Sequence, residues 1–502
     1  MDQKETERKY TVAVDGPAEV TGTELTINLV EPLGWGDATF HELVADYVDT
    51  PDLDLVRSGY ALRRREGGDD EGWHLKTPRR DETRVEVHRP LDAGRSAALV
   101  PLDLREQVAD LVGLDALVPV AQLRTERHEH QILRVADGEV LAVLADDRVT
   151  ATTPDGRSQA WREVEVELVG GTREDLAEID GHLRSAGLVP SQSGSKVSQA
   201  LGLDDAPGGR ADEEAPATAG DVIVRHLRRQ VGALQGLEGK TRSDAPDSVH
   251  KSRVATRRLR STLKTFRDVL DRDVTDAIAL EVRWLGEVLG APRDAEVLKE
   301  RILDELAQLP AEQVEGDIRE RVEAALDQAH REAHEALVRA LDSDRHATLM
   351  EALVGMLVAP PLLEEAQRKA GKELDKVSRR VSRKVERARR RAMAEDDHEH
   401  RLELLHEVRK KAKAARYAHE AFGDLGEGAA RDLAKRWEEV TESLGELQDT
   451  VVTRERLREI AAGAALAGQP TGTYERLVEQ EAERAHEALE RAGRALDKLA
   501  AT

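Results

Sequence analysis

From the N-terminus to about Leu201, polar and apolar residues alternate with a period of two. That alternation places successive side chains on opposite faces of an extended strand. It runs through Glu5–Lys9, Tyr60–Arg65, Trp73–Lys76, Thr83–His88, Val140–Leu144 and Glu163–Leu168. These segments read as strands, interleaved with short helices over 37–46, 103–112 and 172–186. From Asp221 onward the apolar residues recur at three and four, the period of amphipathic helices. Between the two regimes, residues 203–220 are rich in Asp, Glu, Ala, Gly and Pro and have no apolar period, so they read as a linker. The pattern predicts an α+β multidomain protein: a β-rich domain over 1–202, a linker over 203–220, and an all-α domain over 221–500.

The helical part repeats itself. His250-Lys-Ser-Arg253 reads like His406-Glu-Val-Arg409. At the same offset Arg257 matches Lys413, Arg260 matches Arg416, and Phe266 matches Phe422. Further on, Leu289-Gly290-x-x-x-Asp294 parallels Leu444-Gly445-x-x-x-Asp449, with one residue lost between. Two related helical units packed about a pseudo-twofold axis are expected.

Composition narrows the chemistry. A chain of 502 residues exceeds one ordinary core. It has no Cys, which excludes disulfides and thiolate metal sites and leaves carboxylates or His to hold any metal. The charged start MDQKETERKY is unlike a signal peptide, and the apolar window Ala352–Leu363 is short and broken by Pro360-Pro361. A soluble, cytoplasmic protein without membrane contact is therefore expected. The formal net charge of −24 opposes a polyanion ligand globally, yet binding depends on local faces.

On the strands, Glu5, Glu7 and Lys9 share one face, as do Arg63 and Arg65, His74 and Lys76, Arg84, Glu86 and His88, and Glu163, Glu165 and Glu167. Any one such strand reads as an ordinary wetted sheet face. The set does not, because like charges stacked along a face repel unless the opposite sign lies between them. Stacked Glu suits a divalent cation held by oxygen, and paired Arg suits phosphate oxygens. A closed barrel with a charged interior would supply both.

The opening Glu5-x-Glu7-x-Lys9 resembles the signature of the CYTH, or triphosphate tunnel metalloenzyme, superfamily. The later series is similar to the family's order: Tyr60-x-Leu-Arg-x-Arg65, Lys76, Arg84, Arg124 and Arg127, Asp146, Glu163-x-Glu-x-Glu167 and Lys196. This resemblance spans residues 1 to about 202 and implies a tunnel of eight antiparallel strands with flanking helices that takes a triphosphate along its axis. By position it implies Mg2+ or Mn2+ held by Glu5, Glu7, Glu165 and Glu167, with Asp146 supporting them. Asp146 and Asp147 are adjacent, alternation lets one face inward, and Asp146 is chosen. The resemblance implies phosphate contacts from Lys9, Arg63, Arg65, Lys76, Arg84, Arg124 and Arg127. Lys196 would close one end, and Glu5, Glu7, Lys9 and Lys196 form the implied catalytic set.

In the helical part, His250, Arg253, Arg257, Arg260 and Lys264 fall at spacings of 3, 4, 3 and 4, a single helical stripe. His406, Arg409, Lys413 and Arg416 repeat it, with Lys410 beside it, and a third basic stretch from Arg368 to Arg391 holds 12 Lys or Arg against 3 acids. Mixed-charge helices such as Glu312–His346 are solvated faces. The basic stripes repel themselves and call for an anion. These His-led repeats resemble the CHAD family of conserved-histidine helical domains over roughly 221–500. That resemblance implies two four-helix units, Leu-Gly-x-x-x-Asp turns, and binding of inorganic polyphosphate, here through the two stripes.

The expected function is metal-dependent hydrolysis of inorganic triphosphate, with polyphosphate bound by the helical domain, in the cytoplasm and there at polyphosphate granules. One alternative is an organic triphosphate, as for a nucleotide cyclase, thiamine triphosphatase or RNA triphosphatase. Another is a non-catalytic polyphosphate-binding protein. Nucleic acid is disfavoured, since aromatics for base stacking make up only 3% of residues.

Overall fold

The computed structural model describes residues 2–12, 27–79, 83–191, 195–203, 218–423 and 428–500. The chain divides into two compact units, one of residues 1–213 and 350–359 and the other of 214–349 and 360–502. Most of the linker expected over 203–220 lies outside the described residues.

The first unit is a closed antiparallel barrel. Its strands are β1 (Asp2–Val12), β2 (Leu33–Asp49), β3 (Ala61–Glu66), β4 (Gly72–Lys76), β5 (Thr83–Arg89), β6 (Val118–Arg134), β7 (Val140–Thr152) and β8 (Ser158–Leu168). They follow the order β5-β4-β3-β2-β6-β7-β8-β1, and β1 closes the ring by pairing back to β5. A short β9 (Leu188–Pro190) adds to β1. Closure removes both sheet edges and gives every strand an inside and an outside.

The outside is apolar and covered by helices. Tyr10, Ile132, Leu144, Val164 and Val166 pack under Leu176, Ile179 and Leu183 of α4 (Arg173–Ser185). A capping box between Thr172 and Asp175 starts that helix. Elsewhere Val48, Leu62, Leu75 and Val87 pack against α1 (Asp54–Arg57), α2 (Leu102–Gln107) and α3 (Ala109–Val112). A further helix, α5 (Lys196–Leu201), begins at a capping Ser195. The expected helix over 37–46 is a correction: that stretch is the middle of β2, which pairs with β6 from Leu33↔Arg134 to Asp49↔Val118. A ladder of that length overrides the local helical spacing of Phe40, Leu43 and Val44.

The second unit is helical: α6 (Ala219–Arg242), α7 (Ser248–Thr265), α8 (Arg272–Val288), α9 (Gly290–Gln308), α10 (Ile318–Leu341), the start of α11 (Asp344–Val358), which from Met350 on is counted with the first unit, α12 (Ala370–Met393), α13 (His398–Gly423), α14 (Gly428–Leu466) and α15 (Gly472–Ala500). By the sequence repeat α7 matches α13, and α8 with α9 matches the single long α14. The Leu-Gly-x-x-x-Asp segments are not turns. Leu289 keeps helical angles (φ −65, ψ −20) between α8 and α9, and Leu444–Asp449 lies within α14. Their glycines instead give room to an Arg: a Cβ on Gly445 would sit 3.1 Å from Arg409, and one on Gly290 would sit 3.5 Å from Arg253. The copies share a core in which Ile302 and Leu306 of α9 meet Leu457 of α14 and Leu477 of α15.

Candidate functional site

Strand register decides which charges point into the barrel. Glu5 pairs with Arg84, Lys9 with Glu165, Arg63 with His74, Lys76 with Glu86, Arg127 with Asp147, and Asp147 with Glu163. Because the period is two, this set lines the interior together with Glu7, Arg65 and Glu167. Two expectations are corrected. Asp146 faces outward and is held by Arg162 through Oδ1 at 2.8 Å and Oδ2 at 2.6 Å. Arg124 pairs in register with Val44 and Thr150 on the outer face and is exposed. The inward member of the adjacent pair is Asp147, which is fully buried and receives both Nε and Nη2 of Arg127 at 2.7 Å.

The interior cations are gripped by carboxylates. Lys9 Nζ lies 2.5 Å from Glu165, and Lys76 donates to Glu5 at 2.9 Å and lies 3.2 Å from Glu86. Arg84 bonds Glu7 and lies 3.4 Å from Glu5, while Arg79 reaches Glu7 at 2.5 Å. Lys196, at the start of α5, sits among Asp147 (3.0 Å), Glu163 (2.6 Å) and Glu165 (2.8 Å). Oxygens of those three acids fall within 4.8 Å of one another. Burial works against the Lys196 ammonium, but Glu163, Glu165 and Asp147 outweigh it and raise its pKa.

The balance fails in two places. Burial pushes the Glu167 carboxyl up to about 7, Glu5, Glu7 and Glu165 add to it, and Lys76 opposes it without forming an ion pair among the described residues. Glu7, by contrast, is held at about 2, because Lys9, Arg84 and Lys76 outweigh its burial. Arg65 is brought down to about 9 by burial and by the neighbouring Arg63 and Arg127. The Nε atoms of Arg63 and Arg65 are buried without a hydrogen-bond partner. Arg65 pairs with Asp70 and Arg63 lies 3.9 Å from Glu86, so what stays unmet is one buried Nε on each of these arginines and the Glu167 carboxyl.

The donor set suits a hard divalent cation. Glu5, Glu7 and Glu167 offer oxygen, the ligand type of Mg2+ and Mn2+, and the crowded Glu167 carboxyl is what a divalent ion would relieve. Several interior groups were not singled out from sequence. Glu86 accepts from His74 Nδ1 at 2.7 Å and lies 3.9 Å from Arg63, while the Tyr47 hydroxyl takes Arg63 Nη1 at 3.3 Å. Glu86 and His74 carried a signal, since they share strand faces with Arg84 and Lys76. Tyr47 did not, because it follows the stretch read as a helix.

In the helical unit the two stripes converge with a third. Arg257, Arg260 and Lys264 of α7, Arg380, Lys384, Arg387 and Arg391 of α12, and Lys410, Lys411 and Lys413 of α13 line a cavity of about 740 Å3, with Glu407 as the acid in its lining. The α12 residues recur at 4, 3 and 4, so the third basic stretch carried its signal in sequence. His250, Arg253, His406, Arg409 and Arg416 lie outside this lining. Arg253 is paired with Asp294 at 2.5 Å, Arg416 with Glu420 at 2.7 Å, and Lys410 with Glu407 at 2.9 Å. His406 Nδ1 lies 2.8 Å from Gln448 Oε1.

A closed antiparallel tunnel with a charged interior, joined to a duplicated helical unit, defines the class. The CYTH domain family matches residues 3–200 and the CHAD domain family matches 225–458. The chain belongs to the family of proteins that fuse a CYTH domain to a CHAD domain. It is 37% identical over 478 residues to an uncharacterized protein of Mycobacterium tuberculosis, covering 91% of this chain and 90% of that one. Among solved structures, the CHAD domain of the plant Ricinus communis is 26% identical, with TM-score 0.46, over 57% of this chain and 94% of that one. A Hippeastrum protein described both as an adenylyl cyclase by assignment and as having a dominant triphosphatase activity is 16% identical, with TM-score 0.25, over 39% of this chain and 95% of that one. CYTH domains are typically metal-dependent enzymes acting on triphosphates. Among the described residues no helix is long and apolar enough to cross a membrane.

Proposed function

We propose that the tunnel hydrolyses inorganic triphosphate with Mg2+ or Mn2+, and that the helical domain, over 221–500, binds inorganic polyphosphate. The observation that supports the first reading is the double imbalance inside one tunnel. The buried Nε atoms of Arg63 and Arg65 lack an acceptor, and the buried Glu167 carboxyl is raised by burial and by Glu5, Glu7 and Glu165. A bare phosphate chain that arrives with a divalent ion answers both. Arg63, Arg65 and Arg127 hold and orient phosphate oxygens, and Lys9, Lys76 and Arg84 neutralise charge along the chain. Glu5, Glu7 and Glu167 hold the metal, which supplies charge neutralisation and a polarised water when bound. For the helical domain, the basic cavity between α7, α12 and α13 suits an extended polyanion.

The test offers tripolyphosphate, long polyphosphate, ATP and thiamine triphosphate to the purified chain with Mg2+ or Mn2+. Orthophosphate released fastest from tripolyphosphate is expected. Cyclic AMP from ATP, faster turnover of an organic triphosphate, or no phosphate release from any of them would overturn the reading.

A further inference from the structure

Lys413 of α13 stands where the two repeats break their symmetry of charge. Its counterpart in the first copy is Arg257, whose stripe neighbour Arg253 is satisfied by Asp294. In the second copy the matching Arg409 has no ion pair among the described residues, and its Nε is buried without a partner. Lys413 is half-buried in the basic cavity. Arg409 faces it from its own helix, Arg257 and Arg253 from α7, and Asp449 from α14 is the opposing acid. Lys384 of α12 and Lys410 and Glu407 of α13 lie around the same cavity.

An ammonium drawn out of water among guanidiniums loses on both counts. Burial, then Arg409, Arg257 and Arg253, push Lys413 down to about 7. Asp449 counters weakly, since burial and Glu446 hold its own pKa above the usual carboxylate value. His250 and His406 lie outside the cavity lining and are lowered from 6.5 by burial and by nearby Arg or Lys.

We propose that binding of a polyphosphate chain in this cavity is coupled to the uptake of a proton by Lys413, which makes the affinity of the helical domain pH dependent through one amine. The inference rests on the polyphosphate reading above. Phosphate oxygens supply the opposing charge that the cavity lacks, so the bound state favours the ammonium. One proton moves from solvent to Lys413 Nζ, with no other bond made or broken. Between the free and bound pKa values, affinity falls by up to about tenfold per pH unit.

Isothermal titration of the full chain with long-chain polyphosphate tests this, in buffers of different ionisation enthalpy from pH 6 to 9. Long chains are used because only their terminal phosphates titrate near neutrality. Wild type is expected to take up close to one proton near pH 8. Lys413→Arg, which keeps its charge, should take up none and hold its affinity across the range. Lys413→Gln should also take up none, and at pH 6 should bind on the order of tenfold more weakly than wild type. Binding by wild type without proton uptake, or uptake retained in Lys413→Arg, overturns the inference. Failure of wild type to bind polyphosphate even at pH 6 overturns the polyphosphate reading itself.

Discussion

Phe266 and Phe422 face each other with ring centroids 5.6 Å apart, both fully buried. They occupy matching positions in the two helical copies, and matching residues touch where a pseudo-twofold axis passes between them. The pair locks α7 to α13. Phe422→Ala is expected to destabilise the helical unit by roughly 3–5 kcal/mol, read from chemical denaturation by circular dichroism. A double-mutant cycle with Phe266→Ala should show coupling of about 0.5–1.5 kcal/mol. Full additivity would show that the contact contributes nothing of its own.

The neighbouring acids of β7 separate cleanly. Asp147→Asn removes the carboxylate that holds Arg127 and Lys196 inside the tunnel, and turnover of tripolyphosphate should drop on the order of a hundredfold or more. Asp146→Asn touches only the outer ion pair with Arg162 and should leave turnover within about twofold. Equal losses in both variants would overturn this assignment of faces.

Removing Lys196 leaves Asp147, Glu163 and Glu165 facing one another without their ammonium. Lys196→Ala should lower the thermal midpoint of the barrel, and millimolar Mg2+ should restore more of it than it adds to wild type. An equal Mg2+ increment in both proteins would count against the three acids as a cation seat.

His330 provides a pH signature. Its Nδ1 lies 3.1 Å from the Pro292 carbonyl and its Nε2 lies 2.7 Å from Asp244, so both nitrogens must donate and the ring is an imidazolium. Burial opposes that charge, but Asp244 and Pro292 outweigh it and raise the pKa above 6.5. A raised folded-state pKa gives stability that is full below 6.5 and is lost as pH rises through the folded value. The thermal midpoint of wild type should therefore exceed that of His330→Gln most at pH 5.5, and the gap should narrow as the pH is raised.

Much of the fold was legible because its two periods differ. Alternation marked β3, β4, β5 and β8, and the His-led repeat exposed the duplication before any coordinate. The failures have opposite physical causes, burial of both faces on β7 and scant burial of either on the first half of β2. Along β7, Leu144, Ala145, Asp146 and Asp147 are all buried, so alternation gave no contrast by which to choose between the acids. Only register resolved it, through Arg127 opposite Asp147. On β2 the half before His41 has little buried surface, and Phe40 is exposed there, so that stretch lost its strand pattern. The α12 wall of the basic cavity was visible as a charge run, yet its meeting with α7 and α13 is a tertiary fact.

The mutual grip of cations and carboxylates in the tunnel has a consequence for how any ligand is admitted. Lys76, Arg84 and Arg127 do not wait with open hands; each must let go of Glu5, Glu7 or Asp147 to take hold of something else. Entry is an exchange of partners rather than a capture. A carboxylate released by an arriving phosphate is stranded unless a cation arrives in the same event. Such a cage rewards a visitor for carrying both signs and turns away one that carries only one.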